Sequence, residues 1–187
     1  MGWVAGARLT SATSQAGGLG ILASATMTYD QLGAAIREVR SRTDRPFGVN
    51  IRSDQADVGK VVDLMVAEEV PVASFAQAPT EPLIKRLKDA GIVCMPTVAA
   101  RRHAEKVAGW GVDAVIAQGH EGGGHTGPIP TTLLLPEVTA AVDIPVLGAG
   151  GFMDGRGLVA ALAWGAAGIA MGTRFLLTRE STVPDPV

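Results

Sequence analysis

The place in this sequence where chemistry could be done is a histidine in a loop nearly bare of side chains, Gln118-Gly-His-Glu-Gly-Gly-Gly-His-Thr-Gly127. An unperturbed imidazole titrates near ~6.5, so it can take or give a proton at neutral pH. Three adjacent glycines, Gly122, Gly123 and Gly124, cost conformational entropy on folding and let a flat ligand approach the backbone, leaving His125 as the reactive group that faces it. Gln118 would hydrogen-bond that ligand. The competing interpretation is a flexible loop with a solvated histidine. The position directly after an apolar run, residues 112–117, favours function. Glu121 either fixes the loop, orients His125 or is solvated.

Two further glycine segments follow. Leu147-Gly-Ala-Gly-Gly-Phe152 stands before a helical pattern that begins at residue 155. The N–H groups of Gly150 and Gly151 could face a phosphate, helped by the N-terminus of that helix. In Ala170-Met-Gly-Thr-Arg-Phe175, Gly172 and Thr173 add an N–H and a hydroxyl. Either segment alone could be an ordinary turn. Together, at two successive strand ends, they match the phosphate site that α/β barrels build after strands 7 and 8, which suits a mononucleotide such as FMN. Gly148-Ala-Gly-Gly also resembles part of a dinucleotide fingerprint, but it lies late in the chain and no acidic residue ends a strand about 20 residues on. Asn50 ends the apolar segment Phe47-Gly-Val-Asn and either touches a cofactor ring or caps a turn. His103 lies in a polar helical stretch and is expected at the surface.

These segments are spaced by a regular alternation. Helical periodicity covers residues 5–16, 29–42, 55–69, 81–90, 100–110, 132–142 and 155–164. Short apolar runs at 20–24, 47–51, 72–75, 92–98, 112–117, 144–148 and 167–171 read as strands. Glycines at 91, 111 and 165 stop helices just before strands. Parallel strands with crossover helices follow, and the regular repeat favours a (β/α)8 TIM barrel over an open sheet. Seven strands are expected where a barrel needs eight. The pattern starts at a helix and stops just after a strand, so the expectation is a single FMN-binding barrel domain over residues 1–187, truncated at both ends, without its first strand and last helix. Open edges would need cover, and a homo-oligomer is one way to provide it.

Composition narrows the class. The chain has 187 residues, a formal charge of -2 and 47% hydrophobic residues, which is ample core material without a basic surface for nucleic acid. No apolar run approaches the ~18 residues of a membrane span, and no signal peptide precedes the first periodic segment, so a cytoplasmic protein acting on a small molecule is expected. The single cysteine, Cys94, excludes an internal disulfide and a zinc cluster; it reads as a core residue, with a reactive thiol as the lesser alternative.

The combination of Ala16-Gly-Gly-Leu-Gly20, Pro46-Phe-Gly-Val-Asn50, Gln118-Gly-x-Glu-x-Gly-Gly-His125, Gly150-Gly151 and Met171-Gly-Thr-Arg-Phe175 resembles the nitronate monooxygenase (2-nitropropane dioxygenase-like) family, in order and over nearly the whole chain. The resemblance implies an FMN-binding TIM barrel with His125 as the catalytic base, Gln118 and Asn50 at the flavin, and Gly150, Gly151, Gly172 and Thr173 at its phosphate. The implied reaction oxidises a nitroalkane or nitronate with oxygen to a carbonyl compound and nitrite. The same pattern is shared by flavin-dependent enoyl-thioester reductases and by dehydrogenase-like members acting on CoA thioesters of steroid-ring breakdown. Gly2-Trp-Val-Ala-Gly6, Gly122-Gly-Gly-His-Thr-Gly127 and the segment 178–184 look closer to this last branch. Family members begin with a strand bearing Pro and Met, of which Met1 alone remains, and usually carry Ala or Ser where Gly122 stands.

Overall fold

Seven short strands and eight helices alternate along the chain in a computed structural model that describes residues 1–76 and 78–182. The strands are β1 (Gly20–Ala23), β2 (Phe47–Ile51), β3 (Val72–Phe75), β4 (Val93–Val98), β5 (Val115–Gln118), β6 (Val146–Ala149) and β7 (Gly168–Ala170). The helices are α1 (Ala7–Gln15), α2 (Tyr29–Arg42), α3 (Val58–Ala67), α4 (Glu81–Asp89), α5 (Arg101–Ala108), α6 (Thr131–Thr139), α7 (Gly155–Ala163) and the single turn α8 (Thr173–Leu176). All six strand pairings are parallel, and the spatial order equals the chain order, β1 to β7. A doubly wound sheet must reverse its strand order; this one does not, so it is a barrel wall of seven strands.

Strand alternation divides the side chains into two layers. Phe47, Val49 and Ile51 are buried towards the helices with Leu22, Phe75, Cys94, Val115 and Ala117. The opposite faces place Ile21, Val72, Met95, Ala114 and Leu147 in a smaller cluster inside the curl. Asn50 and Gln118 share that inner face, at the ends of their strands. Helix starts are set locally: the Thr28 hydroxyl accepts from Gln31 N–H at 3.3 Å while Gln31 Oε1 accepts from Thr28 N–H at 2.9 Å. Gly91, Gly111 and Gly165 take φ of +76°, +80° and +86°, the left-handed conformation that ends a helix and suits glycine.

Several boundaries differ from the periodicity. α3 starts at Val58, not residue 55, because Gln55 and Val58 N–H groups close turns on Arg52 and Gln55 carbonyls. β5 starts at Val115 because the Asp113 carboxylate, not its backbone, accepts from Cys94 N–H at 2.8 Å. α6 starts at Thr131 and ends at Thr139, whose hydroxyl meets the Pro136 and Trp164 carbonyls at 3.0 and 2.8 Å. α8 was not expected, since four residues carry no period.

The start of the chain is a turn, not the end of a strand: Val4 and Ala5 N–H groups both donate to the Met1 carbonyl. This segment lies across the gap between β1 and β7. Ala23 N–H of β1 donates to the Ala5 carbonyl at 3.0 Å, and Met1 Sδ would be 3.0 Å from a Cβ on Gly172, beyond β7. Thr182 Oγ1 donates to the Trp3 carbonyl at 2.5 Å. Val183 and Pro184, which complete the segment 178–184, lie outside the described residues. No described helix is long and apolar enough to cross a membrane.

Candidate active site

The C-terminal ends of the strands and the loops that follow them carry Asn50, Gln118, Gly124, His125, Gly150, Gly151, Gly172 and Thr173. Asn50 neither caps a turn nor stands open. Its Nδ2 donates to Ser74 Oγ at 2.9 Å, and its carbonyl accepts from Ser24 Oγ at 2.6 Å, so it ties the ends of β1, β2 and β3.

The loop after β5 folds on itself through its glycines. Gln118 Nε2 donates to the Gly123 carbonyl at 3.1 Å, so the amide expected at a cofactor holds its own loop. A Cβ on Gly122 would sit 2.8 Å from Gln118 Nε2, the movable end of that side chain. Gly119 N–H donates to the Ala149 carbonyl of β6 at 3.0 Å, and a Cβ on Gly119 would meet Thr131 Oγ1 at 2.1 Å. Gly124 has φ +87°, and a Cβ on Gly123 or Gly124 would meet nothing within 4 Å. Internal packing therefore does not account for those two glycines, and the backbone remains open to a ligand.

His125 is exposed beyond this turn. Glu121 does not orient it. The Glu121 carboxylate instead accepts from Thr131, at 2.9 and 3.2 Å from N–H and 2.7 Å from the hydroxyl. Partial burial pushes this carboxyl up, but its own N–H, the Thr131 donors and the field of His120 3.5 Å away outweigh that, holding it below the usual carboxylate range. Asp54, in the loop after β2, is held below the usual carboxylate range chiefly by the Arg52 hydrogen bond. His103 is exposed on α5, as expected.

Two glycines after β6 adopt successive left-handed conformations, Gly150 at φ +103° and Gly151 at +77°. A Cβ on Gly151 would find only Glu121 Cβ, at 3.6 Å, so this turn also presents backbone outward. The helix behind it does not serve as expected. Asp154 caps α7, accepting from Arg156 and Gly157 N–H at 2.9 and 3.4 Å, and its carboxyl lies low chiefly because Arg156 bonds it. An ionised carboxylate on those donors repels an anion, so the N-terminus of α7 is taken and the N–H groups of the turn itself remain. Gly172 lies beside Met1, and Thr173, exposed, opens α8.

The structure thus brings Gln118, Gly150 and Gly172 to the ends of neighbouring strands, with Gly124 and His125 on the loop above. Asn50 lies three strands away from Gln118, and no hydrogen bond among the described residues joins them. Sequence reasoning missed Thr131, which follows Pro130 at a helix start like many threonines. Trp3, quoted in the Gly2–Gly6 segment, has its backbone held at φ +60° and its ring exposed beside a cavity of about 330 Å³ lined by Thr26, Met27, Gln31 and Thr182, none of which the sequence signals. That cavity lies at the seam of the chain ends, not over His125. For a bound flavin the fit is partial: the glycine turns offer backbone donors and open space, while the α7 terminus is taken.

Cys94 is fully buried, and burial together with Asp113 pushes its thiol up to about 12, which removes it as a nucleophile.

The sequence profile of the family described as Nitronate monooxygenase matches residues 1–61 and 57–187. A (3aS,4S,5R,7aS)-5-hydroxy-7a-methyl-1-oxo-octahydro-1H-indene-4-carboxyl-CoA dehydrogenase of Mycobacterium tuberculosis is 68% identical over 190 residues, covering 100% of this chain and 54% of that protein. One of the same description from Rhodococcus jostii is 66% identical over 187 residues, covering 100% and 53%. The chain spans about half the length of these relatives. A probable nitronate monooxygenase of Staphylococcus aureus is 32% identical over 95% of this chain and 63% of its own. Among solved structures, FabK from Thermotoga maritima superposes with a TM-score of 0.94 at 44% identity, over 97% of this chain and 58% of that one. A nitroalkane oxidase from Streptomyces ansochromogenes does so with 0.91 at 35%, over 99% and 66%.

Proposed function

The chain belongs to the nitronate monooxygenase family, and from that premise we propose that it forms the cofactor and proton-transfer rim of a flavin-dependent oxidoreductase acting on a fused-ring CoA thioester. The observation that carries this reading is the match along the whole chain, at 66% and 68% identity, to proteins described as dehydrogenases of such a thioester. It replaces nitronate oxidation, the first implication of the motifs, as the preferred activity.

FMN is the flavin proposed, with its phosphate at the N–H groups of Gly150, Gly151 and Gly172 and the Thr173 hydroxyl. When bound, a flavin would supply the two-electron acceptor that dehydrogenation needs. The chain's own residues do the rest. A carbon next to a thioester carbonyl is acidified by that carbonyl, and His125, exposed on a loop whose Gly123 and Gly124 leave room for a flat ligand, removes a proton there. Gln118 keeps that loop closed through Gly123. The free cysteine suits a reducing compartment such as the cytoplasm.

Nitronate oxidation remains the second reading, favoured by the relatives of that description at 32% identity. Flavin-loaded protein offered a fused-ring CoA thioester and, separately, a primary nitronate separates them. Thioester product without nitrite is expected; nitrite release with an unchanged thioester would reverse the order.

A further inference from the structure

Glu121 is the one charged side chain of the β5–α6 loop that bonds outside its own loop. Its carboxylate takes both donors of Thr131, the first residue of α6. Thr131 Oγ1 in turn lies 3.1 Å from the Gly150 carbonyl and 3.4 Å from the Ala149 carbonyl. A Cβ on Gly150 would be 2.8 Å from Thr131 Oγ1, 3.1 Å from the Gly119 carbonyl and 3.1 Å from Gly122 N. The loop that carries His125 and the left-handed turn at Gly150–Gly151 are therefore packed through one hydroxyl, buried to 4% exposure, and one carboxylate.

We propose that Glu121 is a positioning residue: through Thr131 it locks the His125 loop to the Gly150–Gly151 turn, so that the proton-transfer loop and the phosphate-binding turn are ordered as one unit. Glu121 makes no hydrogen bond to His125, and its Cβ borders the turn, 3.6 Å from where a Cβ on Gly151 would stand. Its contribution is to geometry. A carboxylate and a carboxamide both provide an oxygen for Thr131 N–H and a second polar atom for Thr131 Oγ1. Glu121→Gln therefore preserves the lock, with the amide nitrogen donating to the hydroxyl and the hydroxyl proton turning to the Gly150 carbonyl. Glu121→Ala leaves Thr131 N–H without that partner and frees the loop, whose Gly119 carbonyl and Gly122 N border Gly150, so both segments loosen. The assignment of the turn to phosphate rests on the flavin reading; the lock itself does not.

The test is amide hydrogen exchange on the flavin-free protein, followed by retention of added FMN. Glu121→Ala should speed exchange roughly tenfold or more in residues 119–126 and also in 149–152, and weaken FMN binding by a similar factor. Glu121→Gln should restore both. Thr131→Val, which keeps the N–H and the shape but loses the hydroxyl, should loosen 149–152. Combined with Glu121→Ala it should add less than the sum of the single effects. The proposal is overturned if Glu121→Ala speeds exchange only in its own loop, if the two changes are additive, or if Glu121→Gln behaves as Ala does. Wild-type protein that binds no FMN while the two segments exchange together would refute the flavin reading and leave the lock standing.

Discussion

The β1–β5 side of the wall and its β6–β7 end are built from the same βα unit, yet they are buried very differently. On the first side, Ile36, Val39, Ile84 and Leu87 are fully covered and Leu134 and Leu135 of α6 nearly so. At the other end, α7 buries Ala161 alone, β7 and α8 bury nothing, and Val159, Leu162 and Leu177 are 66%, 49% and 81% exposed. The expected phosphate turns belong to that thinly covered end. What fixes the Gly150–Gly151 turn is Thr131, from a helix anchored on the dense side. A glycine turn at a thinly covered edge can thus be held by its neighbour's packing.

The largest effect expected follows from that difference. Leu135→Ala in α6 should cost about 2–5 kcal/mol, whereas Leu162→Ser on α7 should stay within about 0.5 kcal/mol, both by chemical denaturation. Equal losses would mean the two ends are equally packed.

A second pair of variants refines the contrast at the rim. Gly119→Ala forces a Cβ into Thr131 and should destabilise by about 1–3 kcal/mol; Gly123→Ala points into open space and should leave the denaturation midpoint unchanged. If the open glycines exist for a ligand, Gly123→Ala should still weaken FMN retention, read by equilibrium dialysis.

Asp154 gives a smaller, pH-dependent effect. Its carboxyl is lowered in the fold, so its contribution is present above the ordinary carboxylate pKa and is lost as pH falls through the lower folded value. Asp154→Ala should lower Tm at neutral pH, and the gap from wild type should close in acid. A gap that persists there would show that the cap acts other than through its charge.

The smallest effect concerns Cys94. With its thiol at about 12 and fully buried, it should resist alkylation at neutral pH until the protein unfolds. Labelling of the native protein would show that the α4–β4 packing opens.

The barrel could be read from the sequence because apolar runs and helix-ending glycines obey short-range rules, and the parallel order follows once each run is joined by a helix. The glycine loops were legible too, because a bare backbone is a local signal. The hydrogen bonds of the Asn50 and Gln118 amides to Ser74 and Gly123 were not, since nothing in the spacing announces a partner 24 or five residues away. Asp154 was hidden for another reason: a helix start looks like an anion site until the residue capping it is weighed. Thr131 became visible only when β5 and β6 were side by side.

In the proposed reaction His125 moves the proton while a flavin bound at the glycine turns takes the electrons from a CoA thioester. Anaerobic mixing of flavin-loaded protein with the thioester, followed by visible absorbance, tests it most directly. The flavin should bleach, and do so roughly 100-fold or more slowly in a His125→Ala variant that still retains the cofactor. Bleaching at an unchanged rate in that variant, or bleaching by a nitronate but never by the thioester, would contradict it.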